Sequence, residues 1–458
     1  MDRHFWKDYK EYYQRLFRLG MPVLITQLGI IVVNFADTMM VGHYGTNELA
    51  SAAFVNSMFV VVTVMQMGFA AGLTPLIGAL FGRGEHHEAG RTLRGAMQVN
   101  LILSAAFTAI MAGVYFFLDL FGQPDELLPL IRSYYLIILG TLLPMALFNT
   151  FQQTCNGITN TKTPMWFILL ANVLNIAGNY ILIFGHFGFP RLGLMGAGFS
   201  TLFARIVAAV GITVYFFMRR HYRAYRDGFA SKEGVSELRK QVWNTSYPVM
   251  IQSGVECLLW SFGAIACGWY GKIQLAAYQV VTTISQLGFM IYMSFTTAIS
   301  ILVANFTGQK AWLAVRRVTT AGLHMILALA TAASLFFLFG GSLLVAAFTP
   351  DTIVEASALG MILPLVVYQY MDAVQLTYAN ALRGTSHVKP LLWISLTCYM
   401  VIGIPVMLLF ARSFEAANAG IYWSFCIALG LAAIILVTVF RRVIRNEQLQ
   451  SQPDSIMA

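Results

Sequence analysis

Three acidic residues stand where acids are costly. Asp37, Glu256 and Asp372 fall inside long apolar stretches, whereas the other seventeen of the twenty acids fall in polar segments or at stretch ends. A charge at the centre of a bilayer costs about 2.5–3.5 kcal/mol on insertion scales. Such side chains either face a wet cavity or a bound cation, or are protonated and hydrogen-bonded to a neighbouring helix. Their neighbours extend the chemistry. Tyr368 precedes Asp372 by four residues and Trp260 follows Glu256 by four, so each pair shares a helix face. An aromatic surface beside a carboxylate suits an organic cation, through charge and cation–π contact. It also suits ordinary packing, and for Trp260 alone packing is the simpler reading. Asn175 and Asn179 lie one turn apart in another apolar stretch and offer two amide oxygens on one face. Hard cations take several oxygen ligands, so Asp37 with two asparagines could supply Na⁺, whereas a proton site needs only a carboxylate.

The elements that position these residues must be membrane-spanning helices. Of 458 residues, 58% are hydrophobic and 11% charged, against about 25% charged in soluble domains. A spanning helix needs roughly 20 apolar residues. Apolar runs predict spans near 19–41, 50–80, 96–118, 133–155, 165–185 and 194–218, then 243–268, 276–304, 319–346, 356–380, 391–411 and 418–440. Lysine and arginine test the count. One set of alternating loops and tails, Arg383 included, holds 24 of them; the other set holds four, and Arg205 lies within a span. Basic residues gather on the cytoplasmic side, so twelve spans with both termini in the cytoplasm are expected. The net charge of +9 is thereby a topology signal and does not imply nucleic acid. No cleaved signal is evident, and the five cysteines have no paired spacing and read as small hydrophobes.

The two halves resemble each other at an offset of 226 residues. Pro22 matches Pro248, Tyr44 matches Tyr270, Phe69 matches Phe295, Gly82 matches Gly308 and Arg91 matches Arg317. Each half has six spans and begins in the cytoplasm. The repeats are therefore parallel, with a pseudo-twofold axis along the membrane normal and a substrate cavity between the halves. The expected organisation is an N-lobe at 1–218, a basic cytoplasmic linker at 219–241, a C-lobe at 242–446 and a polar cytoplasmic tail at 447–458. The linker reads as a tether between bundles that rock against each other. The offset pairs Asp37 with Gly263 and Glu256 with Ile30, so the scaffold was duplicated but the charged chemistry was not.

Several stretches together carry a family resemblance: P-V-L-I-T-Q from Pro22, N-F-A-D-T-M-M-V-G-H-Y-G around Asp37, G-L-T-P-L-I-G, N-V-L-N-I-A-G-N-Y-I-L-I-F-G, Y-Q-Y-M-D-A-V-Q around Asp372, and A-L-R-G-T. Over nearly its full length the chain resembles the multidrug and toxic compound extrusion (MATE) family, in its bacterial NorM branch. Position 179 is Asn where the DNA-damage-inducible branch has Asp, which agrees with the NorM branch. The resemblance implies twelve helices in two lobes around a V-shaped central cavity. It implies a monomer in the bacterial inner membrane that exports cationic, amphipathic compounds in exchange for inward Na⁺ or H⁺. By position, Asp37, Asn175, Asn179 and Thr201 match the N-lobe cation site. Glu256, Tyr368 and Asp372 match the C-lobe cation site, with Trp260 and Phe289 at aromatic positions beside it. Na⁺ is a candidate ligand at Glu256, Asp372 or Asp37.

Two rivals differ in their sequence demands. A lipid or lipid-linked oligosaccharide flippase of the same wider fold handles phosphates and needs several buried bases, yet only Arg205 lies within a predicted span. A membrane enzyme needs a catalytic cluster, and E-H-H-E at Glu85–Glu88 lacks the HExxH spacing. No Gly-rich phosphate loop follows a strand, so neither ATP nor a cofactor is expected. Partners are then small organic cations and membrane lipids.

Overall fold

In lipid no water satisfies backbone N–H and C=O groups, so each apolar run must close its hydrogen bonds within itself as a helix. The computed structural model describes residues 3–346, 348, 351–413 and 417–450, and all secondary structure among them is helical. The elements are α1 (Arg3–Tyr44), α2 (Thr46–Gly82), α3 (His86–Tyr115), α4 (Leu128–Gly157), α5 (Lys162–Phe184), α6 (Leu194–Met218), the short α7 (Arg223–Ala230), α8 (Val235–Trp269), α9 (Lys272–Gly308), α10 (Trp312–Ala346), α11 (Thr352–Leu359 with Ile362–Gly384), α12 (Lys389–Ser413) and α13 (Ala417–Gln450). Eleven are single helices long and apolar enough to cross a membrane. The α11 pair, bent by 45°, makes a twelfth. Each matches a predicted span, but several run well beyond it. The 37 residues of α9 extend about 55 Å at 1.5 Å per residue, against a hydrocarbon core of about 30 Å. Large apolar side chains such as Ile102, Trp166, Phe339 and Leu343 lie on outer helix faces, where lipid is their solvent. Residues 451–458 of the expected tail lie outside the described residues.

The repeat is visible in the element starts: α2 and α9 begin 226 residues apart, as do α3 and α10. The chain forms two compact units, one of Ile25–Met250 and one of residues up to Leu24 together with those from Ile251 onward. Helices α1 and α8 each contain a proline, Pro22 and Pro248, which removes an intrahelical hydrogen bond. Each changes unit within one turn after it. In the unit from Ile25 to Met250, Trp243 of α8 packs on Phe69 at 5.5 Å between ring centroids. In the other, Phe17 of α1 stacks on Phe295 at 6.3 Å, and Arg15 lies 5.9 Å over the Phe306 ring.

The basic linker does not hang free as a tether. Helix α7 docks on α3, with Gly90 against the Tyr225 carbonyl and Gly228 against the His87 carbonyl, and neither position has room for a Cβ. Arg94 then donates from Nη1 to the carbonyls of Phe229, Ala230 and Ser231 at 3.0–3.2 Å. A cation at those carbonyls caps the helix C-terminus. The E-H-H-E cluster serves the same junction. Glu85 pairs with Arg83 at 3.1 Å, Glu88 with Arg91 at 2.7 Å, and His86 Nδ1 is 2.9 Å from the Tyr225 hydroxyl. All five cysteines are free thiols.

Candidate functional site

In the unit from Ile25 to Met250, α1 carries Asp37, α5 carries Asn175 and Asn179, and α6 carries Thr201. Helices α5 and α6 approach closely because Gly178 sits against Ser200, whose hydroxyl donates to the Asn175 carbonyl at 2.7 Å. That contact aims both asparagines at α1. Asn179 donates from Nδ2 to Asp37 Oδ1. With its nitrogen turned to the carboxylate, Asn175 donates to the same oxygen at 2.8 Å and accepts from the Thr201 hydroxyl at 3.1 Å. The four expected residues thus form one connected polar group. Asn179 is fully buried, and its Oδ1 has no hydrogen-bond partner among the described residues. A buried amide oxygen with no donor is an acceptor that a water, a proton donor or a cation would satisfy. One turn after Thr201, Arg205 lies within electrostatic reach of Asp37 and of Tyr134.

In the other unit, α8 carries Glu256 while α11 carries Tyr368 and Asp372. Asp372 is 1% exposed, and its Oδ2 has no hydrogen-bond partner among the described residues. Tyr368, one turn earlier, lies beside its carboxylate, and Glu256 is within electrostatic reach of it. Glu256 also feels Arg383. That arginine corrects the sequence count, which placed it in a cytoplasmic loop. It occupies the last turn of α11, is buried, and donates from Nη1 to Asn380 Oδ1 at 3.3 Å. Asp372 and Arg383 are eleven residues apart on α11, about 16 Å along its axis. Glu256 lies within electrostatic reach of both.

Further polar groups gather round Asp372. Gln369 and Tyr292 are both fully buried. They converge beside Gly288, where a Cβ would lie 3.1 Å from Gln369 Oε1 and 3.3 Å from the Tyr292 hydroxyl. Neither side chain has a hydrogen-bond partner among the described residues, and Gln375 Oε1 has none either. Gln375 donates instead from Nε2 to the Tyr399 hydroxyl at 2.9 Å. Tyr399 lies on the π-helical stretch Leu396–Gly403 of α12, whose wider turn re-aims side chains. Sequence reasoning missed all four. Gln369 and Gln375 stand three residues either side of Asp372, a helical spacing that could have flagged them. Tyr292 and Tyr399 carried no local signal.

The aromatic residues divide. Trp260 packs in a ring cluster, edge-on to Tyr368 at 5.4 Å and against Phe425 at 4.4 Å. Tyr422 joins the same cluster at 6.0 Å from Tyr368. Phe289 is half-buried on α9 next to Gly288 and is not part of that ring cluster among the described residues. Taken together, one unit holds a carboxylate among amides, and the other holds two carboxylates among amides and phenols. Each has buried oxygens that a proton or a small cation would satisfy.

The comparisons with known proteins agree with this architecture. A family model described as MatE matches residues 22–181 and again 248–409. The two matches begin 226 residues apart, at Pro22 and Pro248, so the module the family describes is the repeat itself. The "Probable multidrug resistance protein NorM" of Geobacillus kaustophilus is 30% identical over 437 residues, covering 94% of each chain. The protein of that name from Haemophilus ducreyi is 25% identical, covering 96% of each. A crystal structure of a mutant of the Vibrio cholerae MATE transporter VcmN superposes with a TM-score of 0.86 at 18% identity. It covers 97% of this chain and 100% of that one, which establishes the fold. With the twice-matched module, the near-complete coverage and twelve spans in hand, the chain belongs to the MatE family of multi-pass membrane transporters and is of the NorM type.

Proposed function

We propose that the chain is a secondary active multidrug efflux antiporter that exports cationic, amphipathic compounds in exchange for inward Na⁺ or H⁺. The observation that carries this is the Asp372 carboxylate, 1% exposed with one oxygen unpartnered. An isolated buried carboxylate is strongly unfavourable unless it is neutralised, and a proton, Na⁺ or an organic cation each neutralises it. Competition of two such cations for one set of acids is what an antiporter requires. Glu256, Tyr368 and Asp372 form the cation site of one unit, joined by Gln369, Gln375 and Tyr292. Asp37, Asn175, Asn179 and Thr201 form that of the other. The bacterial relatives are named probable multidrug resistance proteins, which supports a broad substrate range.

In the cycle, an entering cation binds the acids and favours the conformation that releases drug outward, and drug arriving from the cytoplasm or inner leaflet displaces it. Moving one charge through 100 mV is worth about 2.3 kcal/mol. One-for-one exchange of monovalent cations moves no net charge, so the ion's concentration gradient alone drives it; steeper accumulation needs a second ion or a neutral drug. The protein works as a monomer in the bacterial inner membrane with both termini cytoplasmic, without ATP or a cofactor. With Arg383 buried in the last turn of α11, two bases, Arg205 and Arg383, lie within the spans. Each is matched by an acid in its own unit, which favours cationic substrates over the phosphates of a flippase. The test is efflux of ethidium from proteoliposomes with Na⁺ and pH gradients imposed separately. At least one gradient should drive the dye out, and transport indifferent to both would remove the antiport model.

A further inference from the structure

We propose that Arg205 is a tethered counter-cation for Asp37 that weakens mobile-cation binding there, so that one unit holds a weak cation site and the other a tight one. The inference presupposes that the acids within the spans bind cations, as proposed for this transporter. It begins from an inequality between the units. In the membrane-spanning core of the first, one acid, Asp37, has one arginine, Arg205, within electrostatic reach. In the second there are two acids, Glu256 and Asp372, and one arginine, Arg383, which lies within electrostatic reach of Glu256 but not of Asp372. The first core is balanced as built; the second keeps one negative charge that only a mobile cation can meet.

The geometry of Arg205 makes it a fixed charge rather than a partner. Its Nη1 donates to Thr141 Oγ1 at 2.6 Å, and that hydroxyl in turn donates to the Ile138 carbonyl at 2.6 Å. Thr141 stands at the break in α4, directly after Gly140 ends its first stretch. The guanidinium is thereby anchored away from Asp37 and forms no ion pair with it among the described residues. Yet it cannot drift far, because Thr201, one turn earlier on α6, is linked through Asn175 to the Asp37 carboxylate. The carboxylate keeps its amide donors and the unpartnered Asn179 oxygen for a mobile cation, while a neighbouring positive charge repels that cation. A full charge held near a part-buried carboxylate changes the affinity for a second charge by about tenfold or more.

The experiment is equilibrium binding of ²²Na⁺ to the purified full chain in detergent at alkaline pH. Arg205→Gln should tighten the Na⁺ component that depends on Asp37 by about tenfold or more. Arg205→Lys, which keeps the charge, should bind as the parent does, and Asp37→Asn added to Arg205→Gln should abolish the gain. Unchanged binding in Arg205→Gln, or a gain that survives Asp37→Asn, would overturn the proposal. A second measurement guards against misfolding: the thermal midpoint lost in Asp37→Asn should be largely recovered in the Asp37→Asn/Arg205→Gln double variant. A double variant no more stable than the singles would also overturn it. Retention of the tight component in Asp372→Asn would instead refute the cation site of the other unit, and would leave the comparison at Asp37 decisive for Arg205.

Discussion

Asp372 and Trp260 sit near one another in the same unit and do different work, and the difference can be tested by substitution. Trp260→Ala opens a cavity among Tyr368, Tyr422 and Phe425, and removal of a packed aromatic costs about 3–5 kcal/mol. The purified variant should show a clearly lowered thermal midpoint. Tyr368→Phe keeps those ring contacts and removes only the hydroxyl beside Asp372. Its midpoint should stay close to the parent's while ion-driven efflux weakens. Equal losses of stability in the two variants would mean that the Tyr368 hydroxyl has a packing role alone. At this scale the sequence was legible wherever helical spacing ties neighbours together: Asp37, Glu256 and Asp372 stood out by polarity, and Asn175 with Asn179 by their one-turn interval. Arg383 was not legible. It lies in the last turn of its helix, where an arginine ordinarily reaches water, and only the tertiary fold encloses it. Tyr292 and Tyr399 are ordinary apolar-helix residues until α9, α11 and α12 are brought together.

Among the elements, the twelve spans followed directly from the apolar runs, because lipid leaves the backbone no alternative to the helix. Their ends did not. Polar first turns such as that of α8 continue the helix beyond the apolar window, since hydrogen bonding does not stop where hydropathy does. The local packing of the linker was not legible. Its charge density resembles a solvated tether, yet its two glycine contacts and the arginine cap fix α7 to α3. Glycine-mediated backbone approach has no hydropathy signal. Gly228→Val would push the His87 backbone away and undock α7, and overpacking of this kind costs about 1–3 kcal/mol. The expected result is faster proteolytic cleavage within residues 219–241 than in the parent. An unchanged cleavage rate would show that the close crossing does not hold the linker. Arg94→Ala should move cleavage in the same direction by a smaller amount, because it removes the cap but not the crossing.

Across the whole molecule, the repeat fixed the architecture, and the family module begins at the two prolines that open it. The unit boundaries lie just past those prolines. Residues before Leu24 and those at 235–250 read in sequence as the natural starts of their own halves, and nothing in composition assigns them to the opposite unit. A consequence follows for half-chains. Residues 1–234 and 235–458 expressed separately should each be unstable in membranes, since each lacks a helix segment of its principal unit. Co-expression should recover a complex on gel filtration, and stable independent halves would contradict the unit assignment. The central claim is that cation occupancy of buried carboxylates drives export. It is tested most directly by ethidium efflux from proteoliposomes of the parent and of Glu256→Gln/Asp372→Asn, under an inward Na⁺ or proton gradient. The account predicts gradient-driven efflux in the parent and none in the variant, with the variant correctly folded by thermal midpoint. Full ion-driven efflux by the variant would contradict it.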